Sequence, residues 1–242
     1  ADIVGGYDGT AMPGAIGAFG GPGPVTSSTW GPQPAFPPGM VDTSLFFYGD
    51  RRVEVLHNDA LNPGSGGFTI DAWVIYAAAG NDRFLPIVRK KDVSGVGYGY
   101  RMVIRDVFIN GAGILTLEVQ GTTGNFQFNS NYIVTPDTWH HVAVTFKRGS
   151  PNDIVTGYYD GALDLAVPLS IPVGTIASAS NLLIGGEGID APIAVDELEI
   201  FNRALLPSEI ADIYNAGTAG KCKCVPFNCD DGFACTKDWC CR

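Results

Sequence analysis

From Leu45 onward, apolar residues recur at alternate positions in short runs broken by glycine, proline, asparagine or aspartate. The runs are S-L-F-F-Y, R-V-E-V-L, F-T-I-D-A-W-V-I-Y, F-L-P-I-V-R, Y-G-Y-R-M-V-I-R, I-L-T-L-E-V-Q, W-H-H-V-A-V-T-F, I-V-T-G-Y-Y, L-D-L-A-V, N-L-L-I-G and I-A-V-D-E-L-E-I-F. A period of two is that of a strand with one face on a core. Eleven such segments predict an all-β chain folded as a two-sheet antiparallel sandwich.

Two local signals are sharper. Asp160-Gly161 separates two strand-like runs, and both residues tolerate the positive φ of a two-residue hairpin. In L-L-P-S-E-I-A-D-I-Y-N-A-G the apolar period changes to that of a helix: Leu206, Ile210, Ile213 and Tyr214 share a stripe, Pro207 suits the first turn and Gly217 the end.

The run D-T-W-H-H-V-A-V-T-F, residues 137–146, holds two of the three histidines. Neighbours on a strand point to opposite faces, so His140 goes with Val142, Val144 and Phe146, and His141 with Trp139, Ala143 and Thr145. The two imidazoles cannot converge on one metal. A structural role is expected for both, with one buried and hydrogen-bonded beside a tryptophan. His57 is too distant in sequence to be paired with either.

The 242 residues suffice for one large β domain, and 32 glycines with 16 prolines fit many turns. Residues 1–40 are dense in both and read as an ordered loop over a sandwich edge. A net charge of −10 with no basic run excludes nucleic acid as the expected partner and suits an extracellular, cation-binding surface. Membrane insertion is not expected, because the longest apolar run, Ala72–Ala79, is far too short to span a bilayer. The chain opens at Ala1 without a methionine or signal peptide, as expected of a processed chain or an excerpt.

W-H-H-V-A-V-T-F, then Y-Y-D-G-A-L, then V-D-E-L-E-I-F-N-R-A-L-L-P-S-E-I resemble the laminin-G-like branch of the concanavalin A-like lectin/glucanase jelly rolls. G-M-V-D-T-S-L-F-F-Y-G-D-R-R-V-E-V and G-F-T-I-D-A-W-V extend the likeness in the family's order over nearly all of residues 1–217. The resemblance implies a jelly-roll domain over 1–219, a separate cysteine-rich tail over 220–242, a structural calcium in many members and catalysis in few.

Glycanases of this sandwich use E-x-D-x-x-E on one strand. Here A-V-D-E-L-E has Ala194 in the first position, and simple alternation places Asp196, Leu198 and Ile200 on one face and Glu197 and Glu199 on the other. No G-x-S-x-G is present, and G-V-G-Y-G-Y at 95–100 lacks dinucleotide-binding spacing. An enzyme is not expected.

Calcium takes oxygens from carboxylates and from carbonyls exposed by tight turns. D-I-V-G-G-Y-D-G-T at 2–10 is such a turn and resembles the family's D-x-x-G-x-x-x-G loop. The resemblance implies Asp2 and Asp196 as side-chain ligands and carbonyls from Gly5 and Tyr7, with Asp8 standing where relatives often carry asparagine. For glycans, exposed aromatic platforms are needed, and Trp30, Tyr98, Tyr100 and Tyr132 are the candidates, whereas Trp73 and Trp139 read as core.

Cys222, Cys224, Cys229, Cys235, Cys240 and Cys241 crowd the C-terminus. Without a C-x-x-C pair or nearby histidine they read as a disulfide knot rather than a zinc site, with the vicinal pair bonded to different partners and an oxidising compartment implied. The resulting expectation is a secreted, non-catalytic jelly-roll module for surface adhesion or self-assembly, braced by calcium and disulfides. The alternative is a carbohydrate-binding module of a glycan-degrading protein. Members of the resembled branch open with a strand before the D-x-x-G loop. Residues 11–40 or a strand from another subunit are therefore expected to fill that place.

Overall fold

In the computed structural model, residues 10–11, 44–63, 67–77, 84–91, 97–105, 112–149, 151–186 and 189–219 are described. The strands are β1 (Thr10–Ala11), β2 (Leu45–Gly49), β3 (Arg52–Val55), β4 (Gly67–Tyr76), β5 (Phe84–Lys91), β6 (Gly99–Arg105) and β7 (Gly113–Gln120), followed by β8 (Asn125–Val134), β9 (His140–Lys147), β10 (Ile154–Tyr159), β11 (Ala162–Pro168), β12 (Leu182–Gly185) and β13 (Ile189–Phe201). They form a seven-stranded sheet in the order β1-β3-β12-β5-β6-β7-β8 and a six-stranded sheet in the order β11-β10-β9-β4-β13-β2. All pairing is antiparallel. This is the predicted jelly-roll sandwich.

The core lies where the inward faces meet. Phe68, Ile70, Val74 and Tyr76 from β4 and Val142, Val144 and Phe146 from β9 face Met102, Ile104, Leu115, Leu117 and Val119 of the other sheet. Phe68 stands between Phe146 and Tyr100, with ring centroids 5.5 and 5.2 Å away. Each such side chain contributes about 1.5–3 kcal/mol on burial.

β4 is buried at all ten positions because its outward face is covered as well. The cover is helix α1 (Pro207–Ala216), whose Ile210 packs with Ala143, Tyr158 and Leu205, and whose Tyr214 stacks on Trp73 at 5.5 Å. The turn before α1 hangs on β4, since the Thr69 hydroxyl donates to the Arg203 carbonyl and accepts from the Leu205 N–H. Pro207 opens the helix, the Leu206 N–H donates to Glu209 Oε2, and Gly217 closes it at φ 51. Leu206 departs from the expected stripe: it is the extended N-cap residue and is exposed.

Three further features differ from the sequence reading. β8 has no counterpart among the predicted strands, because N-F-Q-F-N-S-N-Y-I-V is too polar to read as core. It is an edge strand that buries Phe128 and leaves Asn125, Gln127 and Asn129 exposed. Trp73 is buried as read, under α1 on the outer face of the six-stranded sheet, whereas Trp139 is only partly buried, against the Phe46, Ile75, Ala77 and Ala194 cluster.

The third difference is a bulge in β13. Asp196 pairs with Trp73 but Glu199 pairs with Asp71, so one extra residue is absorbed at Glu197, which takes φ 48. The alternation therefore breaks: Val195, Leu198 and Ile200 face or abut the core, while Asp196 and Glu199 share the outer face. Thr10 and Ala11 pair with Glu54 and Val53 on the β3 edge, and the rest of the lead-in region falls outside the described residues.

Candidate binding site

The two adjacent histidines do opposite things, as alternation along β9 predicts. His141 points outward and is fully buried under α1, with Nε2 3.4 Å from Asp71 Oδ1 and its ring 5.4 Å from Trp73. His57 sits elsewhere, its Nδ1 accepting from Lys90 Nζ at 2.9 Å while that ammonium also donates to the Ser180 carbonyl. Among the described residues no group of three or more His, Cys, Asp or Glu side chains gathers as a metal site.

His140 points inward at the rim where β8 of one sheet approaches β11 of the other. The site grows from the Asp160-Gly161 turn, whose φ values of 47 and 75 are those its sequence predicts. Asp160 Oδ1 accepts the His141 N–H at 2.9 Å, and Oδ2 lies 3.0 Å from His140 Nδ1. With the Nδ1 proton held by Asp160, Nε2 accepts from the Thr135 hydroxyl at 2.8 Å and the Tyr159 hydroxyl at 3.1 Å.

Three rings then stack in series. His140 lies 4.8 Å from Tyr159, and Tyr159 lies 5.3 Å from Tyr132 at an interplanar angle of 12°. Tyr132 remains 48% exposed, with the exposed Ile133 next to it. The Asn131 N–H donates to Asp164 Oδ2 at 2.9 Å and ties β8 to β11 beside the stack. An aromatic ring that is rigidly backed yet open to solvent can take the apolar face of a ligand at little entropic cost.

Asp160, His140 and Thr135 have the connectivity of a nucleophilic triad, but the surroundings do not support one. Two hydroxyls share Nε2. Of the amides following Thr135, Pro136 has no N–H and the Asp137 N–H donates to the Tyr76 carbonyl at 2.8 Å, so neither serves an oxyanion. Among the described residues the network holds the His140 and Tyr159 rings in place.

Burial pushes the Tyr159 hydroxyl up to about 12, with the Asp160 charge adding to the effect, and raises Tyr76, Tyr100 and Tyr158 as well. A group with a raised folded value contributes stability below its unfolded value and loses it as pH rises through the folded one. Stability is thus expected to fall from pH ~10 to ~12. Lys90, held below its ordinary value by burial, acts in the opposite sense, alone against four. Urea midpoints measured at intervals across that range check this, and a flat profile contradicts it.

The candidate residues do not converge. Tyr132 is on the rim, and Tyr98 is exposed at the opposite end of the seven-stranded sheet, beside the Gly99–Gln120 pairing. Tyr100 is no platform: it is fully buried and its hydroxyl donates to the Leu61 carbonyl, because its strand phase turns it into the core. Asp196, 6% exposed, accepts the Glu197 N–H at 2.9 Å and braces the bulge. The bulge brings Asp196 and Glu199 to one face, where they pair with Trp73 and Asp71 of β4. Trp30, Asp2, Gly5, Tyr7, Asp8 and the six cysteines lie outside the described residues. Tyr159 and Asp160 were legible only as a hairpin end, Y-Y-D-G, and not as part of a site.

Among solved structures, the binding domain of Paraclostridial Mosquitocidal Protein 1 superposes with a TM-score of 0.59 at 16% identity, over 74% of this chain and 44% of that one. Botulinum neurotoxin type C, which depends on two ganglioside molecules to get into cells, superposes at 0.58 and 16% identity over 87% and 47%. The botulinum neurotoxin serotype D ligand binding domain in complex with N-acetylneuraminic acid gives 0.59 and 13% over 87% and 47%. At such identities the likeness is one of fold, and this chain spans under half the length of each. No curated protein matches the chain in sequence. A family model described as the concanavalin A-like lectin/glucanases superfamily matches residues 49–211, two-thirds of the chain and the whole run from β3 to β13, and the chain belongs to that family.

Proposed function

We propose that the chain is a non-catalytic extracellular recognition module that attaches to a glycan-bearing surface through the β8–β11 rim. The observation that carries this reading is the half-exposed Tyr132 ring, backed by Tyr159 and His140. It is supported by the fold, by neighbours named as binding domains, and by the cysteine-rich tail, which suits an oxidising compartment. Tyr132→Ala is expected to weaken binding to a glycan array by about tenfold or more, the loss of one stacking platform. Its melting temperature stays close to that of the parent, because half of the ring is already in water. Unchanged array binding overturns the reading.

A calcium ion belongs to the same proposal. Its carboxylate donor among the described residues is Asp196, whose hard oxygens suit the ion, although the described residues alone do not make a site. Asp2, Asp8 and the carbonyls of Gly5 and Tyr7 would supply the rest. Calcium at a hundredfold excess over its Kd is expected to add about 2.7 kcal/mol. That increment should vanish in Asp196→Asn, and identical thermal transitions with calcium and with chelator sink the idea.

A further inference from the structure

The charge around the rim is one-sided. No Lys or Arg occurs between Arg105 and Lys147, or between Arg148 and Arg203, so β7, β8, β10 and β11 contain none. Arg105 is engaged elsewhere, bonded to Gln127 and close to Glu118 on the outer face of the seven-stranded sheet. Lys147, the one cation of β9, stands at the opposite end of that strand from His140. Acids, in contrast, are present: Asp160, directly after Tyr159, and Asp164, which holds the Asn131 N–H, are hydrogen-bonded into the rim, and Asp137 stands exposed on the turn that follows β8, at φ 60.

Resting on the reading of the rim as a glycan site, we propose that its ligand carries an ammonium group: a glycan containing free 2-amino-2-deoxyhexose units. Such a sugar offers two things the rim is built to take. Its apolar face covers Tyr132, and its ammonium meets both the negative face of the aromatic ring and carboxylates able to accept charge-assisted hydrogen bonds. A sialylated glycan, by comparison, would bring a carboxylate toward Asp137, Asp160 and Asp164 with no cation among the described rim residues to pair with it. The specificity therefore differs from that of the structural neighbour that holds N-acetylneuraminic acid.

Calorimetry on the full chain with three probes tests this: a glucosamine hexamer, its fully N-acetylated counterpart, and a sialylated trisaccharide. The free-amine hexamer is expected to bind at least tenfold more tightly than the acetylated one, with affinity falling as salt rises. The sialylated probe should not bind. A double variant, Asp137→Asn with Asp164→Asn, keeps the positive φ and the hydrogen-bond acceptor while removing two charges, and should shrink the amine preference to about threefold or less. Equal affinity for the amine and acetyl forms, or a preference for the sialylated probe, overturns this inference and leaves the glycan site standing if Tyr132→Ala abolishes that binding. Binding of no probe, with no array signal that depends on Tyr132, overturns both.

Discussion

His141→Ala is expected to lower the free energy of unfolding by about 3–5 kcal/mol, whereas His140→Ala, one residue away, is expected to cost about 1–2 kcal/mol. The difference follows from the faces. His141 and Asp71 are both without exposure, and their pair is closed over by Trp73 and Tyr214. Removing the imidazole takes one partner from the buried Asp71 carboxylate and opens a ring-sized void under α1. His140 loses hydrogen bonds to Asp160, Thr135 and Tyr159, but those groups lie at the rim, where water can replace it. Urea unfolding of both variants measures the contrast, and Asp71→Asn combined with His141→Ala should recover part of the loss by removing a buried charge that has lost one of its partners. A His141→Ala cost below that of His140→Ala refutes the assignment of His141 as the buried brace.

Gly185→Ala is the second large effect, at roughly 2–5 kcal/mol. Two costs add at this position. Gly185 ends β12 at φ 70, a conformation that costs a residue with a Cβ about 1–2 kcal/mol. A methyl group there would also fall within the ring of Phe47, a buried core residue of β2. Overpacking adds about 1–3 kcal/mol, since neither the ring nor the strand can shift without disturbing its neighbours. Gly49 isolates the terms: its φ is 64, but nothing lies within 4 Å of where its Cβ would stand. Gly49→Ala should therefore show the conformational cost alone. Equal losses at the two glycines would show that the Phe47 contact is relieved at no cost and remove the steric part of the account.

Much of this protein is readable locally. The pleat alternates side chains whatever the strand pairs with, so W-H-H-V-A-V-T-F already separates His140 from His141. Asp160-Gly161 carries its positive φ in its own chemistry, and Pro207 and Gly217 bound α1 by theirs. The tertiary structure alone decided the features that depend on what each strand meets. The β13 bulge exists because Asp196 and Glu199 must register with Trp73 and Asp71 on β4, and no pattern within D-E-L-E announces the extra residue. β8 is a strand because its edge position lets Asn125, Gln127 and Asn129 face water while Phe126 and Phe128 reach the sandwich. Tyr100 on β6 and Tyr132 on β8 are the same residue type in one sheet, with only β7 between their strands, yet one packs against Phe68 and the other lies open on the rim. Exposure is a property of the neighbours that fold over a side chain, and those come from distant parts of the chain.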